Sequence, residues 1–253
     1  MRALAPGAGL LALAAWEVAV RALGVPLYLL PPPSAVAVAL AAEPVMFLHH
    51  AVYTAQATLA GFALAVALGV AAAILIVQFS PVERTLYPFL VTLNSIPKVA
   101  VAPLFIVWMG TGLEPKVSIA AMIAIFPIVI DMVHALRSVD PDMIDLGRSV
   151  CGPKGMKILW RIRFPHSLPT LFASMKVAIS LALIGAVVGE FVAAKRGLGY
   201  LILMAQGQFD VVRMFAAIAV LCAAGLALFY LVGLAERLLL PWQTARRAAS
   251  AGH

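Results

Sequence analysis

Leu136 to Thr170, LRSVDPDMIDLGRSVCGPKGMKILWRIRFPHSLPT, is the longest polar interval in a chain that is otherwise mostly apolar. Each of its halves reads as a short helix. Asp140 ahead of Pro141 marks a helix start, since a carboxylate accepts from first-turn amides and proline's fixed φ suits the first helical position. Met143, Leu146 and Val150 then fall at i, i+3 and i+7 on one face, with Asp142, Asp145 and Ser149 elsewhere, until Gly152 and Pro153 end the run. Beyond them Met156, Leu159, Trp160 and Phe164 recur at helical spacing among Lys154, Lys157, Arg161 and Arg163, and Pro165 and Pro169 are expected to break that pattern. The stretch predicts two short helices lying across a membrane face as a platform.

The rest of the chain says which membrane class this is. Of 253 residues, 64% are hydrophobic and 11% charged, with a mean hydropathy of +1.04, values that keep apolar surface in lipid. Runs of about 20 apolar residues, the length that crosses roughly 30 Å of hydrocarbon, recur along it. Transmembrane strands would be shorter and alternating, so a barrel is disfavoured. The expected fold is an all-α integral membrane protein with about six transmembrane helices in a single domain over residues 1–253, the platform at about 137–169 lying between the fourth and fifth.

In chain order, Leu4 to Leu23 reads as a first span, with a signal peptide as the alternative. Three prolines, Pro31 to Pro33, precede Ser34, a candidate N-cap for an Ala/Val-rich helix. Tyr53 to Val77 is the second span. Its Gly61, Ala65 and Gly69 recur every four positions, which lets another helix approach closely. Ser80 to Arg84 reads as a tight turn. Pro88 to Met109 is a third span that must be broken or kinked at Asn94, Ser95, Pro97 and Pro103. Lys116 to Val133 and Leu171 to Ala193 are the fourth and fifth, Leu201 to Gln208 is a short or re-entrant piece, and Val211 to Ala235 is the sixth.

The formal charge of +7 would point to nucleic acid in a soluble protein, but here it sorts between loops. With the N-terminus cytosolic, the inner segments hold Arg2, Arg84, Arg137, Arg148, Lys154, Lys157, Arg161, Arg163, Arg237, Arg246 and Arg247. The outer ones hold Arg21, Lys116, Lys195, Arg196 and Arg213. Eleven against five sets both termini and the platform in the cytosol and leaves no reason to expect a nucleic-acid partner.

In its second half the platform resembles the cytoplasmic loop of ABC importer permeases, written E-A-A, three residues, Gly, nine residues, Ile, one residue, Leu, Pro. Gly152, Ile162 and Pro165 match it and Phe164 replaces the Leu, while Leu146, Gly147 and Arg148 occupy the E-A-A positions and the acid sits one place earlier at Asp145. LPPPSAV at 30–36, SIPKVAVAPLFIVWMGTG at 95–112, FPIVIDMVHALRSVDP at 126–141 and GLGYLI at 197–202 are similar to the nitrate, sulfonate, taurine and pyrimidine-precursor branch of those permeases. The resemblance implies a bacterial inner-membrane permease made of two copies of this chain. Cytosolic ATP-hydrolysing subunits would drive it and an external or periplasmic solute-binding protein would serve it. Asp142, Asp145, Leu146, Gly147, Arg148, Gly152, Ile162, Phe164 and Pro165 would then couple it to the ATPase, and which acid stands for the motif's Glu stays open.

Other chemistry is sparse. No G-x-x-x-x-G-K-[ST] phosphate loop occurs, so ATP hydrolysis belongs to a separate chain and this one is not an enzyme. No cofactor is implied. His49 and His50 cannot share one helical face and His134 and His166 are isolated, so no metal set forms. Cys151 and Cys222 carry no disulfide framework. Asp131 and Lys176 lie near the cytosolic end of their spans, where snorkelling or pairing accounts for them. Lys98, beside Asn94 in the broken span, is a candidate for the pathway, since freed backbone groups at membrane depth are tolerated only against protein or a water-filled cavity. Glu190 belongs either to an outer gate or to the headgroup region. An ion-gradient-driven secondary transporter is the competing function, for which the inverted repeats are wanting.

Overall fold

The computed structural model describes residues 4–94, 96–151 and 155–242, and every regular element among them is helical. The helices are α1 (Leu4–Ala22), α2 (Pro33–Ala42), α3 (Pro44–Gln78), α4 (Ser80–Asn94), α5 (Lys98–Met109), α6 (Glu114–Arg137), α7 (Pro141–Cys151), α8 (Gly155–Ile158), α9 (Phe164–Ala193), α10 (Leu198–Gly207) and α11 (Val211–Leu239). A π-turn, Leu159–Arg163, joins α8 to α9. Among the described residues four segments are long and apolar enough to cross a membrane: α3, α6, the run from Gly155 to Ala193, and α11.

In lipid no hydrophobic force draws helices together, so close backbone approach through small residues has to do it. The stripe expected on α3 does so and is longer than the three positions that announced it: Ala57, Gly61, Ala65, Gly69 and Ala73 are all buried. A Cβ on Gly61 would sit 2.5 Å from Ala120 Cβ and 2.8 Å from the Val117 carbonyl oxygen, and one on Gly69 would sit 2.8 Å from Ile128 Cγ2. α9 grips α6 from the other side in the same way, a Cβ on Gly185 meeting Ala120 Cα at 2.6 Å. α6 is thus clamped between α3 and α9, and Ala120, Ala124, Ile128, Met132 and Leu136 form the centre of the main core. α11 packs outside α9, where Lys176 pairs with Glu236 and accounts for a cation inside a span.

Four sequence expectations are corrected. Ser80 to Arg84 is not a tight turn but the first part of α4, whereas the break expected in the third span does occur, between the end of α4 at Asn94 and the start of α5 at Lys98, where Pro97 cannot continue the preceding helix. The second span starts at Pro44, so α3 takes in His49 and His50. Ser34 is not a side-chain cap: α2 starts at Pro33 after Pro32, and Glu17 of α1 accepts the Ser34 N–H at 3.0 Å and its hydroxyl at 2.8 Å. Pro165 and Pro169 do not break the chain. Pro165 sits in the first turn of α9, where a missing N–H costs least, and the π-turn before it lets Phe164 N–H donate to the Leu159 carbonyl, five residues back.

Candidate functional site

Two clusters of sequence-predicted site residues lie at opposite ends of α9, whose 30 residues span roughly 45 Å at 1.5 Å each. α3 runs antiparallel between the same ends: its last residue, Gln78, lies beside Gly155, and its first turns reach the Gly197 loop.

At the first end is the platform. Asp140 Oδ1 accepts the Asp142 N–H at 2.9 Å, the cap that the sequence predicts for α7. Gly147 is the one buried residue on the middle turn of α7 and rests on Ile162: a Cβ there would lie 2.3 Å from Ile162 Cδ1. α7 is thereby seated on the π-turn, whose Leu159 reaches the main core while Phe164 packs against it and lies 5.0 Å from the Trp160 ring. Asp142 is exposed, and Asp145 and Arg148, also exposed, form an ion pair at 2.9 Å. Pro165 is exposed at the start of α9. Gly152 lies outside the described residues.

The apolar stripe of α7 faces away from this seat. Met143, Leu146 and Val150 are 56%, 66% and 77% exposed, with Met156 and Trp160 exposed nearby. α7 is thus held through Gly147, and its apolar stripe is left uncovered alongside its exposed charged residues.

At the other end Glu190 is buried, 1% exposed. Its Oε1 accepts the Thr54 hydroxyl at 2.8 Å and its Oε2 the Gly199 N–H at 2.7 Å. Thr54 Oγ1 in turn accepts the Leu198 N–H at 2.8 Å, and His50 Nδ1 accepts the Gly197 N–H at 3.0 Å. Because Nδ1 accepts, the imidazole proton is assigned to Nε2. Gly197 has φ +116, and a Cβ on it would lie 2.2 Å from Glu190 Cδ, so only glycine fits this close turn over the carboxylate. Lys116, counted above among outer loop cations, is buried here and donates to the Gly112 carbonyl at 2.7 Å and the Thr111 carbonyl at 3.3 Å.

Lys98 and Asn94 belong to neither end. Lys98 Nζ donates to Asn94 Oδ1 at 2.6 Å across the α4–α5 break and lies 4.3 Å from the Phe126 ring centroid. The structure brings these two candidates together and keeps Glu190 apart from them. Sequence reasoning missed Thr54 and undervalued His50; the available signal was their i, i+4 spacing, continued by buried Thr58, in register with the small-residue stripe.

The sequence pattern of the family described as "Binding-protein-dependent transport system inner membrane component" matches residues 65–241. The chain is 38% identical to the riboflavin transport system permease protein of Chloroflexus aurantiacus, over 93% of this chain and 88% of that one. It is 33% identical to the formylaminopyrimidine transport permease protein of Halalkalibacterium halodurans, over 90% and 91%. Its fold is similar to a chain of the inward-facing MetNI methionine ABC transporter, with TM-score 0.66 and 19% identity, covering 79% of this chain and 96% of that one.

Proposed function

The chain belongs to the binding-protein-dependent transport system inner-membrane component family and is the permease subunit of an ABC importer; on that premise we propose that two copies form the translocation pathway, driven by two ATP-hydrolysing subunits docked on the α7 platform. The observation that carries this is the outward-facing stripe of Met143, Leu146 and Val150 on a helix held from behind by Gly147 and Ile162. A groove on a cytosolic partner would cover the stripe, and the exposed Asp142, Asp145 and Arg148 around it would give the contact its polar rim. Because α7 sits on the π-turn and the π-turn runs directly into α9, a displacement of α7 by the ATPase is transmitted along the whole span without a flexible joint.

The orientation proposed from the charge distribution places the platform and both termini in the cytosol of a bacterial inner membrane, and the Glu190 end at the outer surface, where a solute-binding protein delivers cargo. Lys98 and Asn94, bonded to each other across the α4–α5 break with Lys98 only partly buried, are proposed to border the pathway. Of the solute types in this branch, a small heteroaromatic of the vitamin or pyrimidine-precursor kind is favoured, because relatives similar over about nine tenths of the chain are named for riboflavin and formylaminopyrimidine.

The test is reconstitution of the permease, its ATPase and its binding protein in sealed vesicles. Uptake of a radiolabelled pyrimidine or flavin is expected to require ATP and the binding protein and to persist after ionophores collapse ion gradients. Uptake that follows the gradient and ignores ATP would overturn the reading.

A further inference from the structure

A helix ordinarily satisfies its first amides with its own N-cap side chain. α10 has none to offer, since its N-cap is Gly197. Three consecutive amides at its start, Gly197, Leu198 and Gly199, are instead received by His50 and Thr54 of α3 and by Glu190 of α9. A cap from its own residue would hold α10 only to itself, whereas caps from two spanning helices hold α10 to both of them. The same knot sets one wall of an outer cavity of about 470 Å³, lined by Glu190, Val192, Tyr200, Leu203, Met204 and Gln208. The His50 ring lies 6.1 Å from that of Tyr200 in a stacked arrangement, so the residue that caps Gly197 also supports the aromatic side chain in the wall.

We propose that Glu190 is a positioning residue for transport: with Thr54 and His50 it fixes the start of α10 to α3 and α9, so that the outer ends of these three helices move as one body and the α10 wall of the outer cavity keeps its shape through the cycle. The inference rests on the importer reading given above. What the site requires is two acceptors on one side chain, one for a hydroxyl that has a choice and one for a backbone amide that has none. Thr54 Oγ1 also lies 3.2 Å from the His50 carbonyl, so its proton can turn there. Gly199 N–H has no such alternative, because it is buried and committed to Oε2. Glutamine therefore suffices at position 190: its oxygen takes the Gly199 N–H, and its amide donates to Thr54 Oγ1 once that hydroxyl turns to the His50 carbonyl. Leucine, of similar size, leaves the Gly199 N–H without a partner and cuts α10 from α9.

The experiment places spin labels on Val52→Cys of α3 and Gln206→Cys of α10, both exposed positions, in only one of the two permease copies of the complete complex in lipid nanodiscs, both copies carrying the Cys151→Ser/Cys222→Ser background. Their distance distribution is measured without nucleotide and in the vanadate-trapped state, alongside vesicle uptake. The chain with Glu190 intact, and Glu190→Gln, are expected to give one narrow distance that is the same in both states. Glu190→Leu is expected to broaden it and to lower the maximal uptake rate at least tenfold while the ATPase still co-purifies. A distance that changes with nucleotide while Glu190 is intact overturns the one-body arrangement. Wild-type uptake by Glu190→Leu, or lost uptake with an unbroadened distance, overturns the positioning role. Should Glu190→Leu fail to insert, Thr54→Val, which removes the hydroxyl and keeps the shape, carries the same expectations and the same refutations. Failure of the unmutated chain to bind an ATPase would strike at the importer reading alone, and the nucleotide-free distances would still decide the knot.

Discussion

The two ends of α9 solve opposite problems with the same kind of contact. At the Gly197 end a glycine backbone closes over a buried carboxylate, and Glu190, Thr54 and the Leu198 and Gly199 amides are bonded to one another within the chain. At the platform another glycine, Gly147, also lets two elements touch, but the helix it seats leaves its apolar stripe uncovered. The first region is closed by contacts within the chain, and the second leaves a surface that the proposed ATPase would cover.

The largest effect on stability is expected where an intramembrane charge loses its partner. Glu236→Leu strands the Lys176 ammonium between α9 and α11 and should cost about 3 kcal/mol, the lower end for a broken buried pair because Lys176 keeps some exposure. The exchange Lys176→Glu/Glu236→Lys should recover most of the loss in melting temperature of the detergent-solubilised protein. No recovery would mean that the contact is shape and not charge.

Next come the two glycines, which set the comparison most sharply. A Cβ would lie 2.2 Å from its neighbour at Gly197 and 2.3 Å at Gly147, almost the same overlap. Gly197→Ala is nevertheless expected to cost about 2–3 kcal/mol, since φ +116 is strained for alanine and the obstacle is a hydrogen-bonded carboxylate. Gly147→Ala meets only the end of a flexible isoleucine and should cost about 1 kcal/mol or less. Equal losses in thermal unfolding would show that the platform seat is as tightly specified as the outer knot.

Topology offers a test with almost no energetic cost. Ser149→Cys, exposed on α7, should react with a membrane-impermeant maleimide in inside-out vesicles and not in intact spheroplasts. Labelling only in spheroplasts would reverse the assignment of the two ends.

Much of this arrangement was legible in the sequence where the determinants are local. The Asp140 cap, the period of Met143, Leu146 and Val150, and the four-residue repeat of Gly61, Ala65 and Gly69 are all short-range patterns, and each corresponds to what the structure contains. The knot around Glu190 was not legible, because three of its four hydrogen bonds join residues 136, 144 and 147 positions apart, and only Glu190 stood out, as a charge in an apolar run. The proline expectations failed for another reason. Pro165 takes a first-turn position directly after a π-turn, where its missing N–H costs little, and Pro169 stands inside α9 without ending it. Ser34 was misjudged as a cap because its amide and hydroxyl are both claimed by Glu17 from a different helix.

The central claim is that the exposed stripe of α7 is where the ATPase docks. Leu146→Asp/Val150→Asp changes two exposed side chains and should alter the stability of the isolated permease by no more than about 0.5 kcal/mol per site. The measurement is the amount of ATPase that co-purifies with the membrane-inserted permease. The account predicts at least a tenfold loss with insertion and melting temperature unchanged, and undiminished co-purification with normal ATP-driven uptake would contradict it.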